Sequence, residues 1–453
     1  MMNLAEYRNS ATRLADFLPW AALVAPGVVL NKDGSFQRTA RFRGPDLDSA
    51  VPAELVGVAG RLNNVLRRLG SGWALFVEAQ RLPASIYPES RFLDAASALV
   101  DAERKAAFEE EGAHFESAYY LTLLYLPPAW EAGGAERFFY EGRNRAAGTD
   151  AREILTGFTD RAERVLQLLD GFMPECHWLD DAETLTFLHS CISTRRQRVR
   201  VPEVPMYLDG LLADQPLTGG LEPKLGDCHL RVLTIVGFPG TTTPGLLDEL
   251  NRLAFAYRWS TRAILLDKTD ATRLLTRIRR QWFAKRKSIA AILKEVMTNE
   301  ASTLVDTDAH NKAIDADVAL QELGSDAVGA AYCTVTATVW DEDPRVADER
   351  LRLVEKVIQG RDFTCMVEKV NAVDAWLGSL PGHAYANVRQ PPVSTLNLAH
   401  MIPLSAVWAG PANDEHFGAP PLLFGRTEGA TPFRLSLHVG DVGHTLVVGP
   451  TGS

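Results

Sequence analysis

Apolar and polar positions change period several times along this chain, and each change marks an element. Alternation through GSFQRTARFRG (34–44) predicts a strand. The next run, AELVGVAGRLNNVLRRL (53–69), repeats its apolar residues at spacings of three and four and predicts a helix stopped by Gly70. WALFVEAQ (73–80) reads as a second strand, 90–111 as a helix, and AYYLTLLYLPP (118–128) as a buried strand ended by prolines. Helices at 151–170 and 181–195 follow. Ahead of all these, the first 30 residues suggest an amphipathic helix carrying Leu4, Tyr7, Ala11 and Leu14, then a short extended run.

The next block is more regular. CHLRVLTIVGFP (228–239) reads as a strand, LLDELNRLAFAY (246–257) as a helix and STRAILLD (260–267) as a strand. Helical stretches cover roughly 270–300 and 310–323. After them come a strand at 331–340, a helix at 345–359 and a strand at 363–370. Strand-helix-strand, helical insertion, strand-helix-strand is the recipe of a ferredoxin-like split unit with an insertion. The block 36–128 is a candidate for a related half, although no sequence repeat marks it. Fold class is therefore α/β in the broad, α+β sense, with mixed layers of helices and strands.

The expected organisation is an α/β subdomain over 1–170 and a second over 171–389 with a long helical insertion at 270–325. A connector at 390–432 and a last segment at 433–453 complete it. The connector holds seven of the 25 prolines in 43 positions, which leaves little room for regular structure. Beyond it, FRLSLHV (433–439), the turn GDVG and HTLVVG (444–449) read as two short strands.

Composition narrows the classes. The 453 residues are 46% hydrophobic and 23% charged, as in an ordinary globular protein. The net charge of −10 argues against a surface built wholly for nucleic acid. Five scattered cysteines make a disulfide framework unexpected and fit a reducing compartment. Uncharged stretches at 17–31 and 390–413 are broken by prolines, so no membrane-spanning helix is read. The amino terminus mixes acids and bases without an apolar core, unlike a signal peptide. A cytoplasmic protein is the default.

Two features carry chemistry. Gly449, Pro450, Thr451, Gly452 and Ser453 follow the apolar run 445–448, and they match the first five of the eight positions of the phosphate-binding loop G-x-x-x-x-G-K-[ST]. In such a loop the glycines let backbone N–H groups turn in on phosphate oxygens. The ordinary alternative is a surface turn. The other feature is ATRLLTRIRRQWFAKRK (271–287), with seven basic residues and no acid. Leu275, Ile278 and Trp282 form an apolar stripe at helical spacing, which leaves Arg273, Arg277, Arg279, Arg280, Arg286 and Lys287 largely off it, with Lys285 interrupting. The plain reading is a solvated face of a packed helix. The sharper one is contact with nucleic acid, acidic lipid headgroups or an acidic partner.

Other constellations are weaker. Arg195, Arg196, Arg198 and Arg200 read as basic residues closing a helix, where they complement its dipole. Cys176-His177, His189-x-Cys191 and Cys228-His229 lack the spacing of structural zinc sites, so no metal is expected. No G-x-S-x-G elbow presents a serine nucleophile near 436–441, and no catalytic residue is assigned.

The segment TPFRLSLHVGDVGHTLVVGPTGS (431–453) resembles the entry to the nucleotide-binding domain of the TrbE/CagE-type ATPases of conjugal transfer and type IV secretion. WLGSLPGHAYANVR (376–389), STLNLAHMIPLSAVWAGP (394–411), YRWSTRAILLDK (257–268) and the segment around DADVALQEL (315–323) resemble the same family in the same order, and GSFQRTARFRGPDLDS (34–49) does so less specifically. The resemblance implies an amino-terminal region leading into a RecA-like motor domain, of which these residues would hold only the first strands. It also implies ATP and Mg²⁺ in the intact family protein, a homo-oligomer, contact with DNA, and partners in the secretion complex at the inner membrane. The chain itself would be peripheral on that membrane. The lysine, the Mg²⁺-holding hydroxyl and the acidic strand end of the motif are not among the 453 residues, so ATP hydrolysis by this chain alone is not expected. The contrasting expectation is a stand-alone adaptor of a secretion or conjugation complex that never touches nucleotide.

Overall fold

The computed structural model describes residues 13–84, 87–89, 91–109, 114–127, 151–285, 307–387, 389–414, 416–427, 429–438 and 440–450. Two hairpin strands, β1 (Trp20–Ala25) and β2 (Val28–Asn31), lead into β3 (Phe36–Arg43), α1 (Pro52–Leu66), β4 (Trp73–Pro83), α2 (Ala95–Phe108), β5 (Phe115–Tyr125), α3 (Ala151–Asp170) and β6 (Glu175–Trp178). After α4 (Asp181–Ile192) come β7 (Cys228–Gly237), β8 (Tyr257–Leu266), α5 (Lys268–Lys285), α6 (Thr307–Gly324), β9 (Ala330–Asp341), α7 (Pro344–Gln359) and β10 (Thr364–Glu368). The last elements are α8 (Ala372–Leu377), β11 (Pro392–Ser394), α9 (Thr395–Met401), β12 (Leu423–Arg426) and β13 (Pro432–Leu435).

Strand pairing shows two copies of one topology. In the first, β6 pairs with β3, β3 with β5 and β5 with β4, all antiparallel. In the second, β10 pairs with β7, β7 with β9 and β9 with β8, again antiparallel. Numbered within each copy, both orders are 4-1-3-2, that of the ferredoxin-like split unit. The units join where the second strand of each, β4 and β8, run antiparallel with Tyr257 opposite Arg81 and Ile264 opposite Ala74. Among the described residues a single sheet of 13 strands results, made of β1 to β11 and two short strands, Leu217–Thr218 and Lys224–Leu225. Both units carry their insertion between the second and third strands, α2 in one and α5 with α6 in the other.

Because side chains alternate across a strand, each strand feeds two layers. One face carries Leu75, Val77, Trp259, Ala263, Val335 and Val339, covered by α1, α3, α7 and α9 in the principal apolar core. The opposite face is different at the join. There β4 offers Glu78 and Gln80, β8 offers Arg258, Ser260 and Arg262, and β9 offers Thr334, Thr336 and Thr338, all buried. A second apolar cluster around Trp20, Phe187, Leu188 and Trp376 flanks this polar stripe.

Three expectations change. The helix expected at 246–257 is only a 3-10 turn, Asp248–Arg252. Gly245 enters it at φ +71°, and the Asp248 carboxylate is drawn to the backbone N–H of Ser405 at 2.9 Å, so the segment serves a tertiary contact rather than a full helix. The proline-rich stretch 390–432 carries β11, α9 and β12, with Leu398, Ala399, Met401 and Leu404 buried in the principal core. Its prolines tolerate this because Pro392 begins a short edge strand and Pro432 begins β13, where a missing N–H is harmless. Residues 444–448, expected as a strand, form no ladder; among the described residues no neighbouring strand meets them, and Leu446, Val447 and Val448 are 87%, 89% and 83% exposed. Leu4, Tyr7, Ala11 and the continuation of the long helix past 285 lie outside the described residues.

Candidate functional site

The tail does not build a phosphate cradle within the described residues. Gly449 and Pro450 lie in an exposed stretch without regular structure, and Thr451, Gly452 and Ser453 lie outside the described residues. A phosphate loop needs a strand behind it and a helix start ahead of it, which fixes the inward N–H groups. Among the described residues no strand stands behind Gly449.

The basic face is better defined. Helix α5 packs along α6, with Leu275 against Ala271, Leu323 and Ala330. Arg279 reaches across to Asp317 at 2.8 Å, and Arg273 pairs with Asp270 one turn earlier at 2.8 Å. Arg277 and Arg280 are exposed and have no carboxylate partner among the described residues. With Arg273 they line an open groove of about 990 Å³, whose other described lining residues are Lys268, Thr269, Thr272, Thr276 and Gln281. Of the expected basic set, Lys285 ends the helix, while Arg286 and Lys287 fall outside the described residues. The face thus presents guanidiniums to solvent around a concavity, an arrangement suited to an acidic surface.

Segments far apart in sequence converge on the polar stripe of the sheet. Arg262 of β8 donates through Nη1 to the carbonyls of His383 (3.1 Å), Ala384 (3.3 Å) and Ala386 (2.5 Å). Its Nη2 donates to the Asn387 carbonyl at 3.1 Å and to Thr334 Oγ1 at 3.1 Å. Ser260 donates to the Ser379 carbonyl at 3.0 Å, and Trp20 Nε1 to that of Pro381 at 2.7 Å. The glycine-rich loop 378–387 is therefore clamped onto the sheet rather than offered to a ligand. Gly382 sits at φ +89° with its α-carbon facing Gln37 and Asn31, leaving no space for a Cβ. Desolvation pulls the Arg262 pKa down to about 10, so the guanidinium remains charged at neutral pH.

Sequence reasoning missed the partners of this stripe. Its trace was the spacing of Arg258, Ser260 and Arg262 at every second position of a strand whose other face is apolar. The arginines 195–200 are also placed differently from expectation. Helix α4 ends at Ile192 with Ser193 as its cap, so Arg195, Arg196, Arg198 and Arg200 lie beyond it in irregular chain and do not complete its last turn. Among the described residues no cluster of three or more histidine, cysteine or acidic side chains is arranged to hold a metal ion. Burial pushes the Cys176 and Cys333 thiols up to about 12, which makes them poor nucleophiles at neutral pH.

Comparison with known proteins assigns these elements to a family. Residues 27–132 match the model of the type IV secretion system ATPase VirB4/TrbE amino-terminal domain, and 175–389 match that of the CagE, TrbE, VirB family, a component of the type IV transporter system. The conjugal transfer protein TrbE of Rhizobium radiobacter is 36% identical over 100% of this chain, which spans 57% of that relative. A shorter relative, a probable conjugal transfer protein TrbE of Sinorhizobium fredii, is 40% identical over 32% of this chain, and 98% of that relative is covered. The type IV secretion system protein virB4 of Bartonella quintana is 22% identical over 97% of this chain, which spans 55% of it. The chain thus spans little more than half the length of the Rhizobium and Bartonella relatives.

Proposed function

The chain belongs to the VirB4/TrbE family of type IV secretion system ATPases, and from that premise we propose that it forms the amino-terminal part of a conjugal-transfer ATPase. In this reading the paired-unit sheet is a rigid platform that docks the motor on a secretion complex at the cytoplasmic face of the inner membrane. The supporting observation is where the family matches fall: 27–132 takes in β2 to β5, and 175–389 takes in β6 to the loop clamped by Arg262. No helix among the described residues is long and apolar enough to cross a membrane, so docking rather than insertion is proposed.

ATP with Mg²⁺ would supply the energy, as in a phosphate-loop motor. Of the loop that would hold it in the intact protein, Gly449 and Pro450 are the described part, and they stand in exposed chain. What this chain's own residues do is bind and orient. Arg273, Arg277 and Arg280 around the α5 groove are proposed to meet an acidic surface of a secretion partner, in the net field of a −10 protein that otherwise repels acids. A homo-oligomer moving DNA or protein completes the proposal.

The test is co-sedimentation of the purified chain with inverted inner-membrane vesicles from cells that carry or lack the transfer apparatus. Retention only on apparatus-bearing vesicles is expected, reduced about tenfold or more when Arg273, Arg277 and Arg280 are changed together to Glu. Equal retention on both kinds of vesicle would overturn the docking proposal. Loss of single-stranded DNA binding in the same variant, with vesicle retention intact, would reassign the face to nucleic acid.

A further inference from the structure

Four arginines from two distant parts of the chain meet at a separate pocket of about 400 Å³. Arg41 comes from β3, and Arg195, Arg196 and Arg198 come from the irregular segment after α4. One wall is apolar, where Tyr120 of β5 stacks on Phe187 of α4 with ring centroids 4.2 Å apart. The rim is anchored to the interior. Arg196 Nη1 donates to Gln80 Oε1 at 3.1 Å, and the same oxygen accepts from Ser190 Oγ at 3.0 Å. Gln80 Nε2 in turn donates to Glu78 Oε1 at 2.8 Å, and Glu78 is held by Arg258. A chain of hydrogen bonds running from the buried Glu78 out to the rim therefore presets the position of Arg196.

Charge compensation fails here and succeeds elsewhere. Arg258, Arg231 and Arg389 each have a carboxylate oxygen at 2.6 Å. None of the four pocket arginines has one within ion-pair distance among the described residues. The one carboxylate lining the pocket among the described residues, Glu183, is turned back to the start of α4, where its Oε2 accepts from the Asp180 N–H at 3.0 Å. His189, also in the lining, faces Asp214 at 3.1 Å. Clustered guanidiniums without acids repel one another, and a multivalent anion relieves that repulsion. Planar guanidinium forks match phosphate oxygens in pairs, and one phosphoryl group offers enough acceptors for several forks. The volume lies in the range of small-ligand sites.

We propose that the pocket framed by Arg41, Arg195, Arg196 and Arg198 binds a phosphate-bearing small molecule. The inference stands independently of the secretion reading and uses none of the residues of the α5 groove.

The test uses the full chain and pyrophosphate as the probe, by isothermal titration calorimetry at low salt. Saturable binding is expected. It should weaken about tenfold or more in the Arg196→Ala, Arg198→Ala double variant, and stay unchanged in an Arg273→Glu, Arg280→Glu variant on α5. A second variant keeps the test decisive if the first disturbs folding. Glu183→Gln preserves the hydrogen bond that caps α4 and removes the pocket's carboxylate, so it should tighten binding about threefold. No saturation, equal loss in the α5 variant, or unchanged affinity in Glu183→Gln would each overturn the proposal. Binding of phosphatidylglycerol vesicles without binding of pyrophosphate would overturn the small-molecule form of it in favour of a lipid headgroup.

Discussion

Glu78 and Arg258 form a bidentate ion pair inside the sheet where the two units join: Nε donates to Oε1 at 2.6 Å and Nη2 to Oε2 at 2.8 Å. Both side chains are buried, and Arg258 Nη1 adds the Cys191 carbonyl at 2.9 Å. Burial, the largest single influence, works to lower the Arg258 pKa, but the charge and hydrogen bonds of Glu78 together with the contacts to Cys191 outweigh it and hold the guanidinium above its ordinary value. The guanidinium therefore stays charged, and each partner is costly without the other.

Replacing Glu78 alone should expose that dependence. Glu78→Ala leaves a buried guanidinium with only a carbonyl and is expected to cost about 3–5 kcal/mol in urea unfolding. Converting both members, as Glu78→Leu with Arg258→Met, should cost less than Glu78→Ala alone, because no charge is then stranded. A double variant as destabilised as the sum of its parts would contradict this account of the seam.

Asp248 gives the chain a pH dependence of defined sign. Desolvation raises its pKa from 3.8 to about 6, against the hydrogen bonds that Ser405 donates to Oδ2. Its other oxygen, Oδ1, is buried without a partner among the described residues, which favours the protonated acid. A raised folded pKa contributes stability that is fully present below the unfolded value and is lost as pH rises through about 6. Asp248→Asn should thus gain on the wild type by about 2–3 kcal/mol between pH 4 and pH 7. A stability difference that stays flat across this range would refute the assignment.

Arg262→Lys retains a charge but loses the fork. A single ammonium cannot reach the carbonyls of 383, 384, 386 and 387 together, so the loop should loosen. Hydrogen exchange through 379–387 is expected to speed up about tenfold or more, with β8 itself still protected. Unchanged exchange in the loop would mean that Ser260 and Trp20 suffice to hold it.

Residues 444–448 are apolar yet unladdered, and their amides should exchange in the fastest class of the last 60 residues. Slow exchange through Leu446–Gly449 in a demonstrably monomeric sample would show that this chain pairs the segment internally.

Much of this fold was legible because its signals are local. The runs 73–80, 118–128 and 331–340 are strands within a few residues of their expected ends, and α3 spans 151–170 as read. Period two and period 3.6 depend on neighbours within one or two turns, which a sequence displays directly. The helix expected at 246–257 failed for the opposite reason. Leu247 and Leu250 do pack into the principal core, but Asp248 and Asn251 answer to Ser405, more than 150 positions away. Likewise Arg196 read as a helix-closing base, since nothing near it in sequence announces Gln80.

By itself, then, the sequence determined most of the elements, the mixed α/β class, the ferredoxin-like recipe of the second half and the family to which the chain belongs. Only the tertiary structure decided that 36–178 repeats that topology, that β4 and β8 join the halves edge to edge, and that a polar stripe lies buried there. Strand order depends on pairings between residues such as Tyr257 and Arg81, whose separation no periodicity encodes. A charged side chain is read as exposed until its partner is known, and Glu78 stands 180 positions from Arg258. Folding brings such groups together because burying the apolar side of each strand forces the opposite side into contact, and the polar residues there must satisfy one another.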